Sequence, residues 1–386
     1  MSLPMGHLKR PRLPAMSWRR LGAPRPAPAE AAETVWVDNA ILTPLATGEM
    51  RVVDRHWRWV SGAVYDSAGH LVPASQRQWD RTVHQPVAVD PPVVRVPGNV
   101  ARTLEGPWVF GGHWARHFGH FLLETLPNLW PEEALGTRGI VMMESAFMRR
   151  EPNFQRGLFV PQLRPWQEAL LELAGFGGHE LQVSCYKTIR AERLLVPERP
   201  VFLNQWVRPE AVGLWRRISD AVGARGSATK VFLSRTRFNS DEGTSATGAL
   251  RTDPEWDALL DSRFAGAGFA VVNPEELSIP EQIELVRGAG VIAGSSGSAL
   301  HLSCFADPGT RIVEVGDLRT GGEPLRMQRA IDAACGHWDA YIGYADTDAL
   351  AGLEALLDTD PGAPEPAPRL ADRLNVRRLA AGLRRG

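Results

Sequence analysis

From residue 206 onward, short apolar runs alternate with longer stretches whose apolar residues recur at helical spacing. KVFLS (230–234), FAVVN (269–273), GVIAG (290–294), RIVEV (311–315) and AYIGYA (340–345) read as strands. RPEAVGLWRRISDAVG, DPEWDALLDSRFAGAG, SIPEQIELVRGAG, PLRMQRAIDAACG and DALAGLEALL read as the intervening helices. Asp253 followed by Pro254 marks one helix start. Ser278 with Glu281 three residues on forms a capping box at another. Apolar strands separated by helices predict a parallel sheet covered on both faces, a Rossmann-like domain over 206–358.

The front half differs. VWVDNAIL, RVVDRHWRWVSGAVYD and WVFGG are β-prone runs broken by Gly and Asp, so 33 to about 110 reads as a β-rich opening. HFGHFLLETLPNLW then places Phe118, Phe121, Leu122, Leu126 and Leu129 at helical spacing, ending before Pro131. GIVMME and LLVPE read as strands and PWQEALLELAGF as a helix, which makes 33–205 a separate α/β domain.

Composition changes this picture at the ends. Residues 1–32 carry six Lys or Arg against Glu30, together with many prolines, and read as a disordered basic tail. TDPGAPEPAP (359–368) reads as a semi-rigid linker. Residues 369–386 carry six arginines against Asp372, with Leu370, Leu374, Leu379 and Leu383 near one helical face. That basic amphipathic helix is expected to dock on the body, or to touch an acidic membrane surface weakly. The whole chain is close to neutral, so the body between these ends is acidic, which disfavours nucleic-acid binding. No stretch approaches the roughly 20 apolar residues of a membrane span, and no secretory leader is visible. Three distant cysteines (185, 304 and 335) fit a reducing, cytoplasmic setting better than a disulfide or zinc framework.

Candidate chemistry gathers at the strand ends, where a doubly wound sheet binds ligands. Ser234, Arg235 and Arg237 follow KVFLS; bidentate guanidinium suits phosphate oxygens, although a solvated loop is equally expected. Ser295, Ser296, Gly297 and Ser298 follow GVIAG; small residues before a helix let backbone N–H groups approach an anion, or simply make a tight turn. Glu314 lies inside RIVEV near the strand end, where a carboxylate can accept ribose hydroxyls or be an ordinary edge charge. Neither a dinucleotide fingerprint, a Walker A sequence nor a nucleophile elbow is present. In the front half His113, His117, His120 and Glu124 have offsets of 4, 3 and 4. Such histidines can bind a metal, but Gly111, Gly112 and Gly119 argue against one continuous helix. A histidine oriented by a carboxylate, acting as general base on a hydroxyl, is the reading weighed against polar caps on a core helix.

Taken together, HFGHFLLETLPNLW, LSRTR and the run from VVNPEELS through GSALHLSCFADPGTRIVEV resemble glycosyltransferase family 61, over roughly 108–315. The resemblance implies a GT-B architecture, with two Rossmann-like domains facing a cleft. It implies inverting transfer from a nucleotide-sugar donor to a glycan or lipid-linked hydroxyl acceptor, in surface or capsular polysaccharide or glycoconjugate synthesis. The matching positions are His120 and Glu124 in the front helix, Arg235, Glu276, Gln282, Gly297 to His301, and Glu314. The chain departs from the family pattern at Ser296-Gly297, where many members have His-Gly, and lacks their Asn-Glu pair after the arginine loop. Arg235, Arg237 and the amides of 295–298 are then expected to grip the leaving diphosphate, with His120 as base and His117 as the next choice. No cofactor or metal is expected; the Asp-x-Asp run at 358–360 falls at the linker and is discounted. The location implied is cytoplasmic or peripheral at the inner membrane face. The competing readings are a non-catalytic nucleotide- or glycan-binding module with a degenerate donor site, and, further off, a glycoside hydrolase.

Overall fold

The computed structural model describes residues 16–43, 63–76, 100–143, 157–185, 187–240, 252–320 and 322–361, the strands Thr47–Val52 and Arg55–Val60, and residues 93, 95 and 96. The helix read over 369–386, most of the linker, the segment 241–251 and residues 1–15 lie outside the described residues.

Two sheets organise the chain. The first has seven strands in the order Val64–Tyr65, Thr34–Leu42, Ile189–Pro197, Thr103–His113, Gly139–Met143, Glu180–Cys185, Gly157–Phe159. Its four central strands run parallel, while Thr34–Leu42 and Gly157–Phe159 pair antiparallel with their neighbours. The second sheet is wholly parallel, in the order Ala270–Val272, Lys230–Leu233, Val291–Ser295, Arg311–Val315, Trp338–Ile342. The strands expected in the back half are all present, and their neighbours in space alternate with the expected helices. Lys230–Leu233 comes first in this sheet's sequence yet lies second in space. The order in which strands are added therefore reverses between it and Val291–Ser295, a topological switch point.

Helix Pro209–Val222 buries Ala211, Val212, Leu214, Trp215 and Ile218, and closes on Gly223 at φ 75. Its apolar face joins a cluster that draws on both sheets, from Val109, Phe121 and Leu122 to Val231, Ile283, Ile292 and Leu300. The two sheets thus share one core cluster.

The reading of 1–32 as a disordered tail is corrected for residues 16–32. Trp18 is buried and donates from Nε1 to Leu356 O at 3.0 Å. Arg19 exchanges both backbone hydrogen bonds with Asp339, at 2.9 and 2.7 Å. Trp338–Ile342 is the edge of the parallel sheet, with unpaired backbone groups that a passing segment can satisfy. Arg20 stacks on Trp338, and Arg25 N bonds Gln205 O. Low hydrophobicity concealed a single aromatic anchor and an edge that needed covering.

Candidate active site

The front helix carries the first part of the site. It is a continuous helical run over 118–129 that changes pitch, from Phe118–His120 through a widened π turn, Phe121–Thr125, to a tight turn, Leu126–Leu129. Pro127 explains the change: it has no N–H for the carbonyl four residues back, and its ring crowds that turn. Asn128 Nδ2 donates to Glu124 O, and Thr125 Oγ1 donates to His113 O at 2.7 Å, so side chains serve carbonyls that the helix does not. The apolar side sinks Phe121, Leu122, Leu126 and Leu129 into the core. His117 and His120 are left exposed on the other side.

His120 Nδ1 lies 2.6 Å from Glu124 Oε2. The His120 side chain is about half exposed (51%) over an almost covered Glu124 (6%). A carboxylate accepts only, so the proton sits on Nδ1 and Nε2 carries the lone pair outward. The His117 and His120 rings meet edge to face at 5.4 Å. His113 does not join them. It ends strand Thr103–His113, and its Nδ1 is 3.0 Å from Arg199 Nη2. The four-residue set His113, His117, His120 and Glu124 therefore does not converge.

The second part is the switch-point crevice. Gly294 pairs with Leu233 in register, so the chains leaving these two strands, 234–237 and 295–298, emerge side by side. Ser234 is buried, and its Oγ accepts from Thr236 N at 3.1 Å, shaping the arginine loop. Arg235 Nε is buried with no hydrogen-bond partner. Burial first, then the nearby Arg319, lowers the Arg235 pKa, while Asp257 acts against this. Asp257, itself buried, bonds Asn239 and Thr252 and so fixes the far end of the loop. Phe238 lies under the Arg235 guanidinium, 5.1 Å from ring to Cζ. Arg237 instead reaches the rim and pairs with Glu276. Gln282 is buried and spends its Nε2 on Pro274 O and Leu277 O, at 2.8 and 2.9 Å, which ties down the loop that holds Glu276.

The glycine-serine turn follows Val291–Ser295, with Ser295 buried at the strand end and Gly297 at φ 146. Ser296 turns inward: its N donates to Val315 O at 2.7 Å and its Oγ to Glu314 Oε1. Glu314 also accepts from Leu325 N on both oxygens, at 3.0 and 3.2 Å. Burial pushes Glu314 up to about 7, against those hydrogen bonds. It thus braces the turn and the start of helix Arg326–Cys335. Arg319 arrives from the loop after Arg311–Val315 and donates to Ser296 O at 2.9 Å, with Asp317 holding its other face. Sequence reasoning missed Arg319. The available signal was a second arginine just past a strand end, in the same position relative to the sheet as Arg235.

The two parts meet. A Cβ placed on Gly119 would lie 2.9 Å from Ser298 Cβ and 3.5 Å from His117 Cε1. Only a glycine lets the front helix rest on the serine turn. His301, at the end of that turn, is buried and held down to about 4, by burial first and then by the neighbouring His117, His120 and Arg319. Thus His117, His120, Ser298, His301, Arg319 and Arg235 form one neighbourhood, with Arg237, Glu276 and Gln282 at its edge. Among the described residues, no helix is long and apolar enough to cross a membrane.

A glycosyltransferase activity is consistent with this arrangement, and a family comparison bears on it directly. No curated protein matches the chain. The family model described as Glycosyltransferase 61 matches residues 118–313, half of the chain, from the front helix into the strand Arg311–Val315. The chain belongs to glycosyltransferase family 61.

Proposed function

We propose that this protein transfers a sugar from a nucleotide-sugar donor to a hydroxyl of a glycan or lipid-linked acceptor, with inversion, in surface or capsular polysaccharide synthesis. The observation that carries the reading is the unpaired, buried Arg235 Nε beside Arg319, at a switch point whose other wall is the 295–298 turn. Two cations beside a glycine-serine turn suit a diphosphate, with the amides of Gly297 and Ser298 to add to them, since that of Ser296 is spent on Val315 O. The site's two halves belong to the two α/β units, which supports a GT-B-like division of labour between acceptor and donor sides. In the step proposed, His120 Nε2 takes the acceptor hydroxyl proton. The oxygen attacks the anomeric carbon in line, and the bond to the diphosphate breaks with its electron pair leaving on phosphate oxygen. Glu124 steadies the imidazolium that forms. Arg235, Arg319 and the turn amides stabilise the leaving group, so no metal is required in this reading. Donor contacts at the rim fall to Arg237 and Glu276, and Ser234, Gln282 and Glu314 hold the loops that make them. The cytoplasmic face of a membrane is where activated sugar donors and lipid-linked acceptors would meet it.

The test is a thermal-shift screen over nucleoside diphosphates and nucleotide sugars, since a ligand that binds only the folded chain raises its melting temperature. A hit is then incubated with glycan acceptors, and the anomeric configuration of the product is read by NMR. Inverted product supports the reading. Binding without product supports a non-catalytic module, and glycan cleavage without a nucleotide sugar supports a hydrolase.

A further inference from the structure

His301 Nδ1 lies 2.9 Å from Gln328 Oε1. An amide oxygen only accepts, so Nδ1 carries the proton. The amide is held that way round because Gln328 Nε2 donates to Ser303 Oγ and to Asp332 Oδ1, each at 2.9 Å. Asp332 is fully buried, and its Oδ2 meets no donor; the group beside it is the Asp339 carboxyl. Burial first, then that neighbour, raises the Asp332 pKa well above the usual carboxylate range, and burial raises that of Asp339 as well, which favours a proton held between the two. Asp339 is fixed in turn by Leu21 N at 3.2 Å, with Arg329 nearby. Nε2, on the opposite edge of the His301 ring, makes no hydrogen bond within the described fold.

We propose that Asp339, Asp332 and Gln328 form a hydrogen-bonded chain that fixes His301 as the neutral, Nδ1-protonated tautomer, presenting Nε2 to the crevice as an acceptor for a hydroxyl of the donor sugar. The last clause rests on the transferase reading; the tautomer does not. Gln328 and Asp332 are positioning residues in this scheme. The low pKa of His301, about 4, keeps it neutral beside two exposed histidines and Arg319. In the transferase reading the 295–298 turn meets the diphosphate, and the place of His301 just past that turn, in Leu300–Phe305, puts it next to the first sugar ring. A hydrogen-bond acceptor there selects for a hydroxyl and against a deoxy or acylated position, because a buried acceptor left unpaired costs binding.

The experiment is nitrogen–proton NMR of the full chain labelled at histidine, without ligand, with His301→Phe assigning the signal. A single Nδ1-protonated tautomer is expected from about pH 5.5 to about pH 8, well above the His301 midpoint. Gln328→Glu sets a carboxylate against Nδ1–H and should bring the His301 titration up into that range. Gln328→Leu removes the acceptor and should give mixed tautomers. Asp332→Asn keeps a donor for Asp339 and an oxygen for Gln328, and should preserve the native spectrum. A native Nε2-protonated ring, or a Gln328→Leu spectrum identical to the native one, overturns the relay. For the hydroxyl contact, calorimetric affinities of UDP- and GDP-hexoses are compared with those of UDP and GDP. His301→Phe should weaken only the sugar-bearing ligands, by roughly tenfold. Equal losses for the bare nucleotides overturn the contact. If no nucleotide ligand binds the native chain, the transferase reading and the contact fall together, while the tautomer result stands alone.

Discussion

The two halves of the site hold their polar groups in opposite ways. On the front helix, His120 stands about half exposed above a buried carboxylate, and the helix beneath it is stabilised by apolar residues on its far side. In the back half, Ser296, Glu314, His301, Gln328 and Asp332 are buried and spend their hydrogen bonds on one another. The exposed His120 can therefore change with little effect on folding, whereas the back-half groups are part of the core. That difference separates groups that do chemistry from groups that shape the place where it happens, and each prediction below tests one side of it.

The largest effect expected is on the front side. His120→Ala should reduce turnover by roughly 10²- to 10⁴-fold, the range of a general base, with melting temperature and donor affinity close to native. Turnover within a few fold of native would remove His120 as base and shift attention to His117. Single-turnover assays with saturating donor separate this from a binding defect.

Next comes Arg235→Ala, which sits between the two cases. The guanidinium is largely desolvated, has an unpaired Nε and lies near another cation, so it costs the free protein something. Removing it should lower affinity for nucleoside diphosphates by roughly 10- to 100-fold, as charge-assisted hydrogen bonds do. The melting temperature of the ligand-free protein should hold or rise. Calorimetric titration and a melting curve check both halves; lost stability with intact affinity would make Arg235 a structural residue.

The same contrast explains what the sequence made legible. Strand and helix in the back half were readable because each element is local: Asp253 and Ser278 cap their helices as their spacing implies, with side chains that accept from Glu255 N and Glu281 N. His120 and Glu124 were readable as a pair for the same reason, being four residues apart on one helix. The short strands Gly157–Phe159 and Val201–Phe202 were missed, since their partners lie at Val183–Cys185 and at Trp206–Val207 and nothing periodic marks two or three residues. Arg319 was missed because its role depends on sheet order, which places its loop over Ser296. Trp18 was missed because one aromatic in a Pro-rich segment has no period. The Asp339–Asp332–Gln328 chain spans a strand and a helix, and no spacing rule links it to His301.

A smaller effect tests the buried side through pH. Glu314 titrates near about 7 in the fold against an ordinary 4.5. Between those values the folded chain holds a proton that the unfolded chain releases, so Glu314 makes stability fall as pH rises through that window. His301 and His337, both near 4 against an ordinary 6.5, act the other way: the unfolded chain binds protons that the fold refuses, so they make stability fall as pH drops below 6.5. Glu314→Gln should remove the first slope and keep the second. Urea midpoints measured from about pH 5 to about pH 8 should then rise or level off with pH in the variant, relative to the native chain. An unchanged pH dependence would mean that Glu314 is ionised in the fold across the whole range.

The smallest effect addresses the seam between the two halves. Gly119 is helical, so an added methyl brings no backbone strain; its cost is contact with Ser298 Cβ at 2.9 Å. Neither Cβ is at the end of a flexible chain, so the helix and the turn must separate by a few tenths of an ångström. Gly119→Ala should therefore cost about 1 kcal/mol of stability, in the range of modest overpacking. It should also lower turnover more than donor affinity, because it moves His120 relative to the turn while Arg235 stays in place. Ser298→Gly removes the opposing Cβ. The double variant Gly119→Ala, Ser298→Gly should recover most of the loss made by Gly119→Ala, a coupling that a double-mutant cycle reads directly. Additive losses would mean that the helix and the turn do not bear on one another there, and the front imidazole would then owe its position to its own helix alone.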